Sequence, residues 1–157
     1  MAGSIKGSVL SVNISDKKGE KKHNVGSSIL IEQSGLTGDA HAGFQHRQVS
    51  LLAEASVQKI RDKGLDVQFG DFAENLTISG IELFTLPLGT KLKVGKDVLL
   101  EITQIGKLCH ERCHIFHQVG DCVMPREGVF AAVITGGEVR VGDEVEVIGQ
   151  VIETTKM

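Results

Sequence analysis

The stretch Gly106–Cys122, "GKLCHERCHIFHQVGDC", holds all three cysteines of the chain, Cys109, Cys113 and Cys122, and three of its six histidines, His110, His114 and His117. Three kinds of chemistry suit such a segment: a metal site, a disulfide or a reactive thiol. Cys109 and Cys113 are four apart, as are His110 and His114. On a helix, residues at that spacing share a face, so either pair could grip one metal. Structural zinc takes four Cys or His ligands, normally as two pairs, and here only His117 and Cys122 remain to complete the set. A disulfide framework prefers an even cysteine count and an oxidising compartment. For a reactive thiol the neighbours matter. Arg112 precedes Cys113, and His110 and His114 lie close on either side. Cationic neighbours lower a thiol pKa and raise the thiolate fraction. A thiolate can attack sulfur, accept a persulfide or ligate a soft metal such as molybdenum. The plain alternative, a small buried hydrophobe, suits Cys122 best.

Two further polar clusters accompany the thiols. "GLTGDAHAGFQHRQVSLL" (35–52) sets Asp39, His41, His46, Arg47 and Gln48 in a Gly-rich loop before a strand. Imidazole and guanidinium groups there suit an anion, and Arg offers a bidentate fork for phosphate or carboxylate. "FGDFAENLTISGI" (69–81) places Asp71, Glu74 and Asn75 among apolar residues at a strand entrance. Those groups cap a turn or hydrogen-bond a ligand. Downstream, Pro125-Arg126-Glu127-Gly128 reads as a turn with an exposed guanidinium fork at Arg126.

The elements that must position these clusters are mostly strands. "GSVLSVNIS" (7–15) alternates apolar and polar residues, and "SSILIEQSG" (27–35) and "QVSLLA" (48–53) are further strands. The run "EASVQKIRDKGL" is the one clear helix, with Ala55, Val57 and Ile60 at a loose helical period and Gly64 as its closing glycine. Strand patterns return over 74–81 and 85–106, where Leu92 and Val94 alternate with lysines and Val98, Leu100 and Ile102 share a face. The span 128–149 reads as a strand, a "TGGEVRVGD" turn region and a closing strand. Many short strands with one helix indicate a mainly β barrel or sandwich. The pattern contains no βαβ alternation, so a doubly wound sheet is not expected.

Composition narrows the function classes. The 157 residues suit one domain, with a core expected over about 6–149. The net charge of −3 and the absence of Trp and Tyr argue against a nucleic-acid surface. The N-terminal "MAGSIKGSVLSVNISD" lacks the apolar core of a signal peptide. No segment approaches the roughly 20 apolar residues that cross a membrane. The expectation is a cytoplasmic protein without a membrane partner, whose thiols stay reduced.

Taken in order, "GDAHAG…HRQVSLL", "GDFAENLTISGI…LPLGTKLKVG" and "CHERCHIF…GDCVMPREGVFAAVITGGEVRVGD" resemble a stand-alone MOSC domain, the family named for the C-terminal part of molybdenum cofactor sulfurases. The likeness runs from about Lys6 to Gly149. It implies a β-barrel of the pyruvate-kinase-barrel-like kind with one or two short helices. It also implies a role with molybdenum cofactor or with sulfur bound for metal centres. One cysteine of the third segment is then the sulfur carrier or metal ligand. Cys113 is favoured, because its "RC" pair resembles the ligand cysteine of the amidoxime-reducing relatives, and Cys109 competes with it. His41, His46, Arg47 and Arg126 become the anion-binding candidates, with Asp71, Glu74 and Asn75 beside the site. Many relatives carry a basic residue where this chain has Ala40, which removes one phosphate contact. Full sulfurases also carry a pyridoxal-phosphate desulfurase domain. This chain shows no motif for one, so a cysteine desulfurase or a molybdoenzyme would have to be its partner. Two other readings stand beside this one: a non-catalytic module that binds and inserts cofactor, and a zinc-stabilised structural domain.

Overall fold

The computed structural model describes residues 5–14, 22–32, 35–36, 49–72, 74–106 and 127–149. Alternating side chains set most of the elements. The strands are β1 (Lys6–Ile14), β2 (His23–Asn24), β3 (Ser27–Ile31), β4 (Gly35–Leu36), β5 (Val49–Ala53), β6 (Leu76–Ser79), β7 (Lys91–Val94), β8 (Val98–Ile105), β9 (Val129–Thr135), β10 (Gly137–Arg140) and β11 (Glu144–Gly149). Among the described residues one α-helix, α1 (Glu54–Arg61), follows β5, and a single 3-10 turn covers Leu83–Thr85.

Seven strands close on themselves in the order β11-β7-β8-β9-β5-β6-β1, with β1 pairing back onto β11 and β2 appended to the far end of β1. A second sheet of three strands runs β10-β3-β4. The barrel agrees with the mainly β reading. Val98, Leu100 and Ile102 of β8 and Leu92 and Val94 of β7 all point into the core, each at most 1% exposed. Val9, Val12, Leu51, Leu76, Ile78, Val129, Val133 and Val145 complete that interior. Residues i and i+2 share one face of a strand, which is why the alternation in the sequence maps onto this wall.

Strand β5 is buried at every position because both its faces are covered. Val49, Leu51 and Ala53 face the barrel interior, whereas Leu52 packs under α1 with Val57, Ile60, Val67, Phe72 and Phe130. A strand buried on two sides reads as a continuous apolar run rather than an alternating one.

Three details depart from the sequence reading. The "TGGEVRVGD" region is a strand as well as a turn: β10 lies inside it and pairs with β3 from Gly137↔Leu30 to Arg140↔Ser27. The described residues also include a βαβ unit, since β5 and β6 run parallel, Leu51↔Leu76 to Ala53↔Ile78, with α1 between them. A single short helix after an unbroken apolar strand leaves little periodic signal for such a unit. Finally, α1 buries Ser56, Val57 and Ile60, while Ala55 is exposed. Gly64 sits past the helix end at φ +100°, its N–H donating to the Arg61 carbonyl at 2.9 Å.

Candidate functional site

Of the residues singled out in the sequence, Asp71, Glu74 and Asn75 fall within the described structure. Cys109, Cys113, Cys122, His41, His46, Arg47 and Arg126 lie outside the described residues. Among the described residues no three His, Cys, Asp or Glu side chains group in a way that could hold a metal ion.

Glu74 and Asn75 belong to a polar cluster on the face of β1, β5 and β6 opposite the barrel interior. A register shift in β1 between Val9 and Ser11 sets it up. With one extra residue accommodated, Val12 stays in the core, and Ser11 and Asn13 turn away from it. Ser11, Asn13, Glu74 and Thr77 are all fully buried, Asn75 is 1% exposed, and Ser50 is 7% exposed.

Asn75, one residue before β6, links β1 and β5. Its Oδ1 accepts from the Ser50 backbone N–H at 2.9 Å and from Ser50 Oγ at 3.2 Å, and its Nδ2 donates to the Asn13 carbonyl at 3.1 Å. Its own N–H is satisfied by Ser50, and its carbonyl accepts from Asn13 N–H at 2.7 Å. The primary amide supplies both the acceptor and the donor that this junction of β1 and β5 needs. Asn13 is held in turn, accepting from Ser11 Oγ and donating through Nδ2 to the Glu74 carbonyl at 3.1 Å.

Glu74 is satisfied on one oxygen only. Oε2 accepts from Gly70 N–H at 2.9 Å and from Thr77 Oγ at 2.7 Å, whereas Oε1 is buried with no hydrogen-bond partner. Burial pushes its pKa from the ordinary 4.5 up to about 6, against the opposing pull of the Gly70 and Thr77 hydrogen bonds. The loop above Glu74 is pinned where Lys22 N–H donates to the Gly70 carbonyl at 2.8 Å. Gly70 has φ +97°, and a Cβ there would run into the Lys22 carbonyl. Asp71 closes the turn beneath. Its Oδ2 accepts from Gln68 N–H at 2.9 Å, and its N–H returns to the Gln68 carbonyl at 3.1 Å. The three residues therefore lie in one segment, but two are enclosed and one caps a turn.

The structure also fixes where the cysteine segment leaves the barrel and where it returns. Strand β8 ends at Ile105 opposite Val129, which begins β9, and Gly106 N–H donates to the Gly128 carbonyl at 2.6 Å. The next residue inward, Glu127, is 6% exposed and clamped to α1. Its Oε1 accepts from Ser56 Oγ and its Oε2 from Lys59 Nζ, both at 2.5 Å. Lys59 Nζ also lies 5.2 Å from the centroid of the Phe84 ring. In the sequence, Glu127 falls in a turn whose exposed group is the Arg126 fork. Nothing in "PREG" signals burial, because its partners are 71 and 68 residues earlier in the chain. Ser11, Asn13 and Thr77 were missed for a related reason: polar residues at alternate strand positions read as solvent-facing.

A family model for the MOSC domain matches residues 37–146. The chain belongs to the MOSC domain family, which is linked to molybdenum cofactor binding and sulfur transfer. Its fold is similar to that of the YuaD protein from Bacillus subtilis, with a TM-score of 0.77 at 18% identity over 94% of this chain and 98% of that one. The YiiM proteins are also similar. That from Geobacillus stearothermophilus gives a TM-score of 0.68 at 16% identity, covering 91% of this chain and 75% of its own. That from Escherichia coli gives 0.66 at 18% identity, covering 93% and 71%. At these identities the likeness is one of fold. A comparison with curated protein sequences gave no match. Among the described residues no helix is long and apolar enough to cross a membrane.

Proposed function

We propose that this protein is a cytoplasmic, single-domain MOSC protein that binds molybdenum cofactor or carries sulfur as a cysteine persulfide for delivery to a metal–sulfur centre. The observation that carries the reading is the extent of the family match. Residues 37–146 take in the His41–Arg47 loop, the Asp71–Asn75 segment and the whole cysteine stretch. The donor set fits the group chemically. A thiolate of Cys113 or Cys109 suits a soft metal, and His41, His46, Arg47 and Arg126 suit a pterin phosphate. Asn75 spends its side-chain acceptor and a donor on Ser50 and Asn13, and Glu74 is enclosed. These two belong to the barrel wall, Asn75 at the junction of β1 and β5. When bound, the cofactor supplies a metal centre for redox or sulfur chemistry. The basic residues would hold its phosphate, and the cysteine would hold the metal.

In the sulfur-carrier form, the acceptor thiolate attacks the outer sulfur of a donor persulfide. A new S–S bond forms to the acceptor cysteine, the donor's S–S bond breaks, and the donor cysteine leaves as a thiolate. A neighbouring histidine manages the proton. The sulfur comes from a cysteine desulfurase, and a molybdoenzyme is the recipient. A second reading, a non-catalytic module that carries cofactor to an enzyme, uses the same loops and needs no persulfide.

Native mass spectrometry of the protein and of its Cys113→Ser and Cys109→Ser variants tests the proposal. A pterin or labile-sulfur adduct that disappears in one variant supports it and identifies the cysteine. Pterin retained in both variants favours the non-catalytic module. Bound zinc released by chelator together with unfolding would overturn both in favour of a structural metal site.

A further inference from the structure

Strands β3 and β10 of the second sheet turn one face to the barrel and the other to solvent. Leu30 and Val139 point inward, at 1% and 0% exposure, and belong to the barrel core. Their neighbours alternate outward: Ser27, Ile29 and Ile31 from β3, and Glu138 and Arg140 from β10, are all exposed. The register sets Ile29 beside Glu138 and Ser27 beside Arg140. Ile29 and Ile31 are each 48% exposed, and Val25, two residues before β3, is 39% exposed. Val141 follows β10, is exposed too, and donates its N–H to the Gly26 carbonyl at 2.9 Å. Four of the seven exposed large aliphatic side chains among the described residues therefore lie on this small sheet or at its end, which sets it apart from scattered single exposures. Next to the isoleucines Arg140 reaches Glu138 at 2.7 Å, with both side chains open to solvent. The edge of β10 is blunted. Arg140 N–H donates to Asp143 Oδ2 at 2.9 Å, and its carbonyl accepts from Asp143 N–H at 3.1 Å, so neither is left for an added strand.

We propose that this outer face docks on the same face of a second copy of the chain, forming a weak two-fold dimer. A two-fold axis lying in the contact plane, across the strands at the level of the Ser28↔Val139 pair, exchanges the positions on either side of that pair. Glu138 then faces the partner's Arg140, and Arg140 faces the partner's Glu138. On β3 the same axis sets Ile31 against the partner's Val25, and Ile29 against the partner's Ser27. Charge meets opposite charge and the aliphatic ends cover each other, so the face is complementary to itself. The ion pair within one copy is exposed and holds weakly, which leaves each member able to turn to the partner. A purely acidic or purely basic partner would satisfy one of the two charges and repel the other, whereas a second copy answers both. Two short strands offer well under the roughly 800 Å² per partner of a standard stable interface, so the dimer is reversible and concentration-dependent. It forms whichever form of the proposed function is correct.

Sedimentation velocity of the full chain tests this, with reductant present to prevent cysteine cross-linking, from about 10 μM to about 1 mM. Wild type should shift from monomer toward dimer across that range. Glu138→Arg and Arg140→Glu each place like charges across the axis and should weaken association roughly tenfold or more. The double variant Glu138→Arg, Arg140→Glu again sets opposite charges across the axis and should dimerise as wild type does. An equimolar mixture of the two single variants should also associate, because one copy then presents two cations and the other two anions. Ile31→Ser should weaken association in the otherwise wild-type chain. All three side chains are exposed, so an unchanged melting curve checks that each variant keeps the fold. A monomer throughout the range would overturn the proposal and leave the face to a different protein. A dimer that both single reversals leave intact, or a double variant no better than the singles, would overturn it as well.

Discussion

Replacing Glu74 with glutamine should remove a pH dependence from the stability of the fold. The glutamine carbonyl can accept from Gly70 N–H and Thr77 Oγ as Oε2 does, so the change removes a titratable proton and little else from that side. In the folded protein Glu74 binds its proton more tightly than in the unfolded chain, with a pKa of about 6 against 4.5. Between those values the folded state holds more protons, so stability falls as pH rises through the window. Below pH 4.5 the carboxyl is protonated in both states and carries no penalty, while above about pH 6 the full penalty applies. A difference of about 1.5 units corresponds to about 2 kcal/mol. Urea unfolding of both proteins, under reducing conditions at about pH 4 and about pH 7.5, reads the effect as a difference of differences. The other titrating groups are common to both proteins and cancel where they are distant from Glu74. Wild type should lose about 2 kcal/mol relative to Glu74→Gln on going to the higher pH. Parallel pH profiles for the two proteins would refute the argument that Glu74 is a buried carboxyl short of one partner.

Three other substitutions probe the same framework. Asn75→Ala should cost about 3 kcal/mol in urea unfolding, because it strands the Ser50 N–H and the Asn13 carbonyl inside the wall. Gly70→Ala should cost roughly 2 kcal/mol or more, combining a strained positive φ with the collision at the Lys22 carbonyl, and should lower the melting temperature without changing the far-UV spectrum. Lys59→Ala should cost roughly 1–2 kcal/mol, since its side chain is half exposed and that of its partner Glu127 is only 8% exposed. Hydrogen exchange should then speed up at Gly106, whose amide is held by the Gly128 carbonyl next to the clamp.

The strands were legible because a barrel wall with one buried side imprints its period on the sequence. Leu92 and Val94 and the row Val98, Leu100, Ile102 show this directly. The helix was legible from its closing glycine and from Val57 and Ile60. What the pattern hid depends on long-range pairing. Strand β10 looked like a turn because glycines bracket it, and only its pairing with β3 makes it a strand. At the candidate site, residue type drew attention to Glu74 and Asn75 as polar groups within an apolar run. It did not reveal that Ser50 and Asn13 hold the Asn75 side chain, because those partners come from separate strands. Glu127 had no local signal, since its burial is defined by α1.

The seam that closes the barrel pairs Lys6, Gly7 and Ser8 with Glu146, Val145 and Glu144. Asp143 and Val9 add a further backbone bond at 2.9 Å. These contacts join positions separated by most of the chain, whereas β7–β8 is a tight local hairpin. Local hairpins form early, and distant pairings must first overcome the entropy of closing a long loop. During synthesis, β1 therefore stays an unpaired edge on the β11 side until the last barrel strand has left the ribosome. In that interval the exposed edge is open to pairing with neighbouring chains, and a slow final folding phase that β11 substitutions selectively retard is the kinetic signature expected of this protein.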